Sequence, residues 1–92
     1  MPPIFEFDPS KDAANLAKHG LSLALIRQAV WPPDLVAEDN RRDYGEVRWY
    51  GFIRLGGRIH VTIFTIRGSV VRVISLRKAN LREVRRYNDQ LS

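Results

Sequence analysis

The chain has 92 residues, 15 Lys and Arg against 10 Asp and Glu, a formal charge of +5 and no cysteine. At this length residues 1–92 form a single domain with one core, burying about 60 to 65% of the unfolded surface. A disulfide framework and a thiolate metal site are excluded, no apolar run approaches the roughly 18 to 20 residues of a membrane span, and the N-terminus lacks a basic-then-apolar leader. The expectation is a cytoplasmic protein with no membrane contact. Most of the excess charge is arginine in the last third, which points to an anionic partner.

Ile4 to Phe7 reads as a short first strand. Asp8-Pro9 ends it and opens a helix, since Asp is a strong N-cap and Pro suits the first helical position. The helix runs from Pro9 to about His19 with Ala13, Leu16 and Ala17 on its apolar side, and Gly20 supplies a left-handed cap. Lys18 and His19 sit in the last turn, where they either meet the negative end of the helix dipole or contact a ligand. Ser22 caps a second helix, apolar at Leu23, Ile26, Ala29 and Val30, which Pro32-Pro33 stops by Trp31. Leu35 to Glu38 is a short strand. The polar loop from Asp39 to Gly45, with Arg41, Arg42 and Asp43, is expected to be exposed and mobile.

Two glycine-led turns, Leu55-Gly56-Gly57-Arg58 and Arg67-Gly68-Ser69-Val70, predict two-residue hairpins that pair Leu55 with Arg58 and Arg67 with Val70. Strict alternation then sorts the strands into two faces. One gathers Tyr50, Phe52, Val61, Ile63, Ile74 and Leu76 beneath the helix pair, with Glu46 opposite Arg67 and Thr65 between Arg48 and Arg72 at its polar end. The other holds Trp49, Phe64, Val71 and Val73, then His60 opposite Arg77 and Thr62 opposite Ser75. Asn80 with Glu83 is a capping box. It starts a last helix from about Leu81 to Gln90, apolar at Leu81 and Val84, in which Tyr87 either packs or lines a cleft. The predicted fold class is α+β, in the order β-α-α-β-β-β-β-α. It is a mostly antiparallel sheet with a two-helix layer on one face and a C-terminal helix.

No phosphate-binding glycine loop, nucleophile elbow or paired-histidine zinc spacing is present. What remains is a cluster of arginines with two histidines, a glutamate and a tyrosine on a small sheet. Cleavage of RNA by its own 2′-hydroxyl needs a base, cationic donors for the phosphorane and an acid, and the guanidinium fork suits the middle task. Glu46, His60 or His19 is the candidate base or acid. A basic sheet serves equally well for merely holding nucleic acid or an acidic partner.

The order Phe5-Glu6-Phe7-Asp8-Pro9, Lys11, Asn15 and Lys18-His19-Gly20 resembles the N-terminal signature of BrnT-type toxins, of the RelE-like ribonuclease superfamily. The resemblance continues through Glu46-x-Arg48, Thr65-x-Arg67-Gly68 and Arg72-x-Ile74-Ser75-x-Arg77, with Ala79, Glu83 and Tyr87. Phe7 stands where the family has Trp, and Leu76 where it has Ala; both are apolar replacements that bear on packing.

The resemblance implies a RelE-like domain and the toxin of a type II toxin-antitoxin pair, an endoribonuclease that inhibits translation without a metal or small-molecule cofactor. Its implied partners are RNA and a cognate antitoxin that binds DNA and represses the operon as the complex. Candidate catalytic residues are Glu46, Arg48, Arg67, Arg72, Arg77 and His19; candidate RNA-binding residues are Lys18, His60, Arg82, Arg86 and Tyr87. His60 comes from strand pairing alone. Arg82 and Arg86, with Arg85, otherwise make a solvated helix face. The competing reading is a non-catalytic basic module that binds nucleic acid or the antitoxin, including a toxin that survives as a co-repressor.

Overall fold

In the computed structural model, which describes residues 3–91, the chain runs β1 (Ile4–Glu6), α1 (Pro9–His19), a 3-10 helix (Leu23–Gln28), β2 (Leu35–Glu38), β3 (Trp49–Leu55), β4 (Arg58–Arg67), β5 (Val70–Lys78) and α2 (Leu81–Leu91). The strands form one sheet in the order β1-β5-β4-β3-β2, antiparallel except for β1 beside β5. This is the predicted α+β fold class. Three signals act where expected. The Asp8 carboxylate accepts from the Ser10 amide at 2.7 Å, Gly20 takes φ 72° behind α1, and Asn80 and Glu83 exchange reciprocal 2.9 Å bonds at the start of α2. The second helix is a 3-10 turn capped by Ser22 that ends at Gln28, short of Ala29 and Val30.

Both hairpins have the predicted two-residue turns, pairing Leu55 with Arg58 and Arg67 with Val70. The register between β4 and β5 then shifts at Ile63/Phe64: Phe64 pairs with Val73 but Ile63 pairs with Ser75, leaving Ile74 as the extra residue of a bulge. His60 therefore lies opposite Lys78 instead of Arg77, and Thr62 opposite Leu76 instead of Ser75. The bulge reverses the facing of every later side chain in β5. Leu76 turns into the core, while Ser75 and Arg77 turn away from it.

The helix layer covers the face opposite to the one expected. Leu23 and Ile26 pack with Ile53, Leu55, Phe64, Val71, Val73 and Leu76 in one buried cluster, against which Phe7 also packs. Phe7 and Leu76, the two apolar replacements expected to bear on packing, thus both contribute to this cluster. Gly51 leaves room on this side for Pro33, whose ring carbons lie 3.0 Å from where a Cβ would stand. The other face is covered at one end by α2, through Tyr87 against Phe52 with ring centroids 6.2 Å apart and Glu83 under the Tyr50 hydroxyl at 3.0 Å. Leu81, expected on the apolar side of α2, is 66% exposed, and the buried member of its first turn is Glu83.

The apolar side expected of α1 is also outside. Ala13 and Ala17 are exposed and Leu16 is 53% exposed, whereas Asn15 is buried. The cause is the sheet edge. β1 pairs with β5 only as far as Arg72, so the backbone beyond would meet no strand. The Asn15 side chain takes the place of one: its Oδ1 accepts from the Leu76 amide at 3.1 Å, and its Nδ2 donates to the Leu76 and Leu21 carbonyls, both at 2.8 Å. An amide that satisfies one strand residue on both sides cannot be replaced by an apolar group without orphaning backbone polar atoms.

Asn15→Ala is expected to lower stability by about 3 kcal/mol, since three backbone groups lose their partner. It should appear as a lower urea midpoint at unchanged slope, and an unchanged midpoint would refute the tie. A second outcome concerns acid. Glu83, held by Arg77, the Asn80 amide and Tyr50, falls to a pKa of about 2 from the usual 4.5, and Asp39, held by Arg41, falls to about 2 from 3.8. Both values are depressed, so their contribution is complete above the ordinary values and is lost as pH falls from about 4.5 toward about 2. Urea midpoints should drop across that window, and Glu83→Gln should flatten the drop.

Candidate active site

The bulge at Ile74 brings Ser75 and Arg77 onto the face that carries Tyr50, Val61 and Ile63. From the sheet edge, the last turn of α1 brings Lys18 and His19 to the same place. The segment 39–48 closes the far side with Asp39, Arg41, Tyr44 and Arg48. Together these elements line a cleft of about 250 Å³, floored by Val61, Ile63 and Ile74 and walled by Lys18, His19, Arg41, Arg48 and Arg77.

The loop from Asp39 to Gly45 is exposed over most of its length, as expected, but it is folded around one buried carboxylate. Asp39 is 7% exposed and accepts from Arg41 Nε at 2.8 Å, Arg41 Nη2 at 2.9 Å and the Tyr44 hydroxyl at 3.1 Å. A charge can be buried when it is answered this fully. Tyr44 in turn carries Arg48, whose guanidinium carbon lies 4.1 Å from the ring centroid. The buried Arg48 Nε has no hydrogen-bond partner among the described residues.

Arg77 is held from the other side by Glu83, at 2.7 and 2.8 Å in a two-pronged pair. Because Glu83 also caps α2 and accepts from Tyr50, the position of Arg77 is tied to the helix start. His19 is pushed below its ordinary pKa of 6.5, first by burial and then by the positive charges of Lys18 and Arg77. At neutral pH its ring is uncharged and able to accept a proton.

Four of the residues singled out in the sequence meet here: Lys18, His19, Arg48 and Arg77. The others do not line the cleft. Glu46 and Arg67 pair with each other at 3.2 Å, as their register predicts. Arg72 pairs with Glu6 at 3.1 Å and lies 3.9 Å from Asp8. Tyr87 donates to Asp34 at 2.6 Å, and Asp34 also holds Arg54. Arg82 and Arg86 are exposed on α2. His60 is 4% exposed on the helix-covered face, with Nδ1 2.9 Å from the Arg58 carbonyl.

Arg41, Tyr44, Tyr50 and Ser75 were not singled out. For Arg41 a signal existed: an Asp two residues earlier in a turn-rich segment, whose carboxylate accepts the Arg41 amide at 3.3 Å. For Ser75 it was the phase of the strand, in which the apolar positions run Val71, Val73 and then Leu76.

Among the described residues no three His, Asp or Glu side chains gather as metal ligands would, and no helix is long and apolar enough to cross a membrane. No curated protein matches the chain. Residues 7–83 match the family model described as the ribonuclease toxin, BrnT, of type II toxin-antitoxin systems. That stretch holds α1, the whole meander of strands, the cleft-lining residues and Glu83, so the chain belongs to the BrnT family of type II ribonuclease toxins.

Proposed function

We propose that this toxin is an endoribonuclease that cuts RNA in the cleft at the end of α1 by attack of the substrate's own 2′-hydroxyl, without a metal. The observation that carries the reading is His19, kept neutral by partial burial and by neighbouring cations in a cleft that also holds Arg41, Arg48 and Arg77. A neutral imidazole takes the 2′-hydroxyl proton. The 2′-oxygen attacks phosphorus, the bond to the 5′-oxygen breaks, and that oxygen receives a proton from the Lys18 ammonium. The products are a 2′,3′-cyclic phosphate and a 5′-hydroxyl. Negative charge that builds on the phosphorane is met by Arg48 and Arg77, with Arg41 beside them, all positioned before substrate arrives.

The site proposal of Lys18, His19, Arg48 and Arg77 therefore gains Arg41 and Tyr44. The pairs Arg67 with Glu46 and Arg72 with Glu6 serve the surrounding frame, and Tyr87 anchors α2. In the cell the reading is that cleavage slows translation in the cytoplasm, and that a cognate antitoxin, itself a DNA-binding protein, neutralises the toxin and represses the operon with it. Membership of the BrnT family supports this context.

His19→Gln should lower the cleavage rate by roughly 10² to 10⁴-fold while leaving RNA affinity near the wild-type value. The wild-type rate should fall as pH drops through a limb below 6.5, because the lowered pKa of His19 keeps the active neutral form until then. A wild-type profile without that limb sinks the assignment. Arg48→Ala should cost roughly 10²-fold or more in rate with a modest loss of affinity. If the purified protein instead binds RNA, cuts none of it and loses affinity equally at each arginine, the non-catalytic module is the correct reading.

A further inference from the structure

A second hollow, of about 190 Å³, lies beside the cleft along α1 and ends at Lys11. Lys18, His19, Ile74 and Ser75 line both hollows, so the two make one continuous groove. Lys11 and Lys18 are seven residues apart, two turns on one face of the helix, which separates them by about 10 Å along its axis. Ala14 lies between them in the wall of the groove, and its single methyl keeps that wall low.

Charge distinguishes these lysines from the strand arginines. Arg67, Arg72 and Arg77 are each matched by a carboxylate, whereas neither Lys11 nor Lys18 takes part in an ion pair among the described residues. The nearest acidic side chain in sequence, Asp12, is turned away into the Ser22 turn, where it accepts from the Leu23 amide at 2.7 Å and the Ser22 hydroxyl at 2.9 Å. Two ammonium groups with no ion pair among the described residues thus stand at the two ends of the second hollow, Lys18 where it joins the proposed cutting site and Lys11 at its far end. Hollows of this size admit one strand.

We propose that Lys11 binds the phosphate that flanks the scissile one, which makes the groove along α1 a second nucleotide subsite for single-stranded RNA. The proposal rests on the cleft being the ribonuclease site. Ser75, at the junction of the two hollows, offers its hydroxyl to the nucleotide between them. A dinucleotide fills only the first hollow. A trinucleotide reaches Lys11.

The test uses 2′-O-methyl oligonucleotides, which bind but cannot be cut by this chemistry, two, three and four nucleotides long. Anisotropy titrations at several salt concentrations would compare wild type, Lys11→Ala and, as a control on the distant hairpin, Arg58→Ala. Wild type and the control should gain about tenfold in affinity on the step that adds the flanking phosphate, as expected of one charge-assisted contact. Lys11→Ala should lose that gain, bind the dinucleotide as wild type does, and show a salt slope smaller by about 0.7 on the longer strands. A Lys11→Ala protein that keeps the gain, or that weakens equally at every length, overturns the subsite. Cleavage of the matching unmodified RNAs reports separately on the chemistry: an inactive wild type whose binding still depends on Lys11 refutes the ribonuclease reading, and with it a subsite flanking a scissile phosphate, while keeping Lys11 as a phosphate contact of a groove that only binds RNA.

Discussion

The single extra residue between β4 and β5 governs both halves of this molecule. Ile74 has no partner on β4, and from that point the side chains of β5 exchange faces. Leu76 becomes one of the most deeply buried residues of the core, and Ser75 and Arg77 reach the cleft. Without the bulge the alternation would send Leu76 out of the core and Arg77 into it, opposite His60. Burying a guanidinium there without a carboxylate is far more costly than one irregular pairing. Bulges recur beside functional sites because they re-aim a side chain without breaking the sheet.

A second dependence runs through side chains that complete backbone hydrogen bonding. Asn15 stands in for the strand that β1 is too short to provide, and so locks α1 against the β5 edge. Lys18 and His19 follow one turn later and are placed by that lock. Glu83 does the equivalent at the other end, capping α2 while holding Arg77 and Tyr50. Asp39 does so in the loop, holding Arg41 and Tyr44. Three polar side chains, each nearly buried and each answered several times over, set three walls of the cleft.

Their arrangement explains how so basic a chain presents a site that is cationic yet ordered. Two of the arginines singled out at first are paired with a carboxylate away from the cleft, Arg67 with Glu46 and Arg72 with Glu6, and Arg54, which was not singled out, is paired in the same way with Asp34. Of the cations that line the cleft and the hollow beside it, Lys11 and Lys18 on α1 take part in no ion pair among the described residues. Partial burial among these cations lowers the pKa of His19, which suits the proton-accepting role proposed for it.

Local chemistry was legible in the sequence wherever a few adjacent residues settle it. Asp8-Pro9, Gly20, the Asn80 and Glu83 box, and the two glycine turns each encode their own geometry, so the order of elements, the hairpin registers and the pairing of Glu46 with Arg67 could be read directly. The motif spacings carried the family. The phase slip after Val73 was visible as a pattern, but its meaning depended on which face the helices would cover. Only the tertiary structure decided that face, the burial of Asn15, Asp39 and Glu83, and the isolation of His60 from the arginines. The physical reason is that polar residues are buried only when distant backbone or charges answer them. The partner of Asn15 is 61 residues away at Leu76, a distance over which no local pattern carries information.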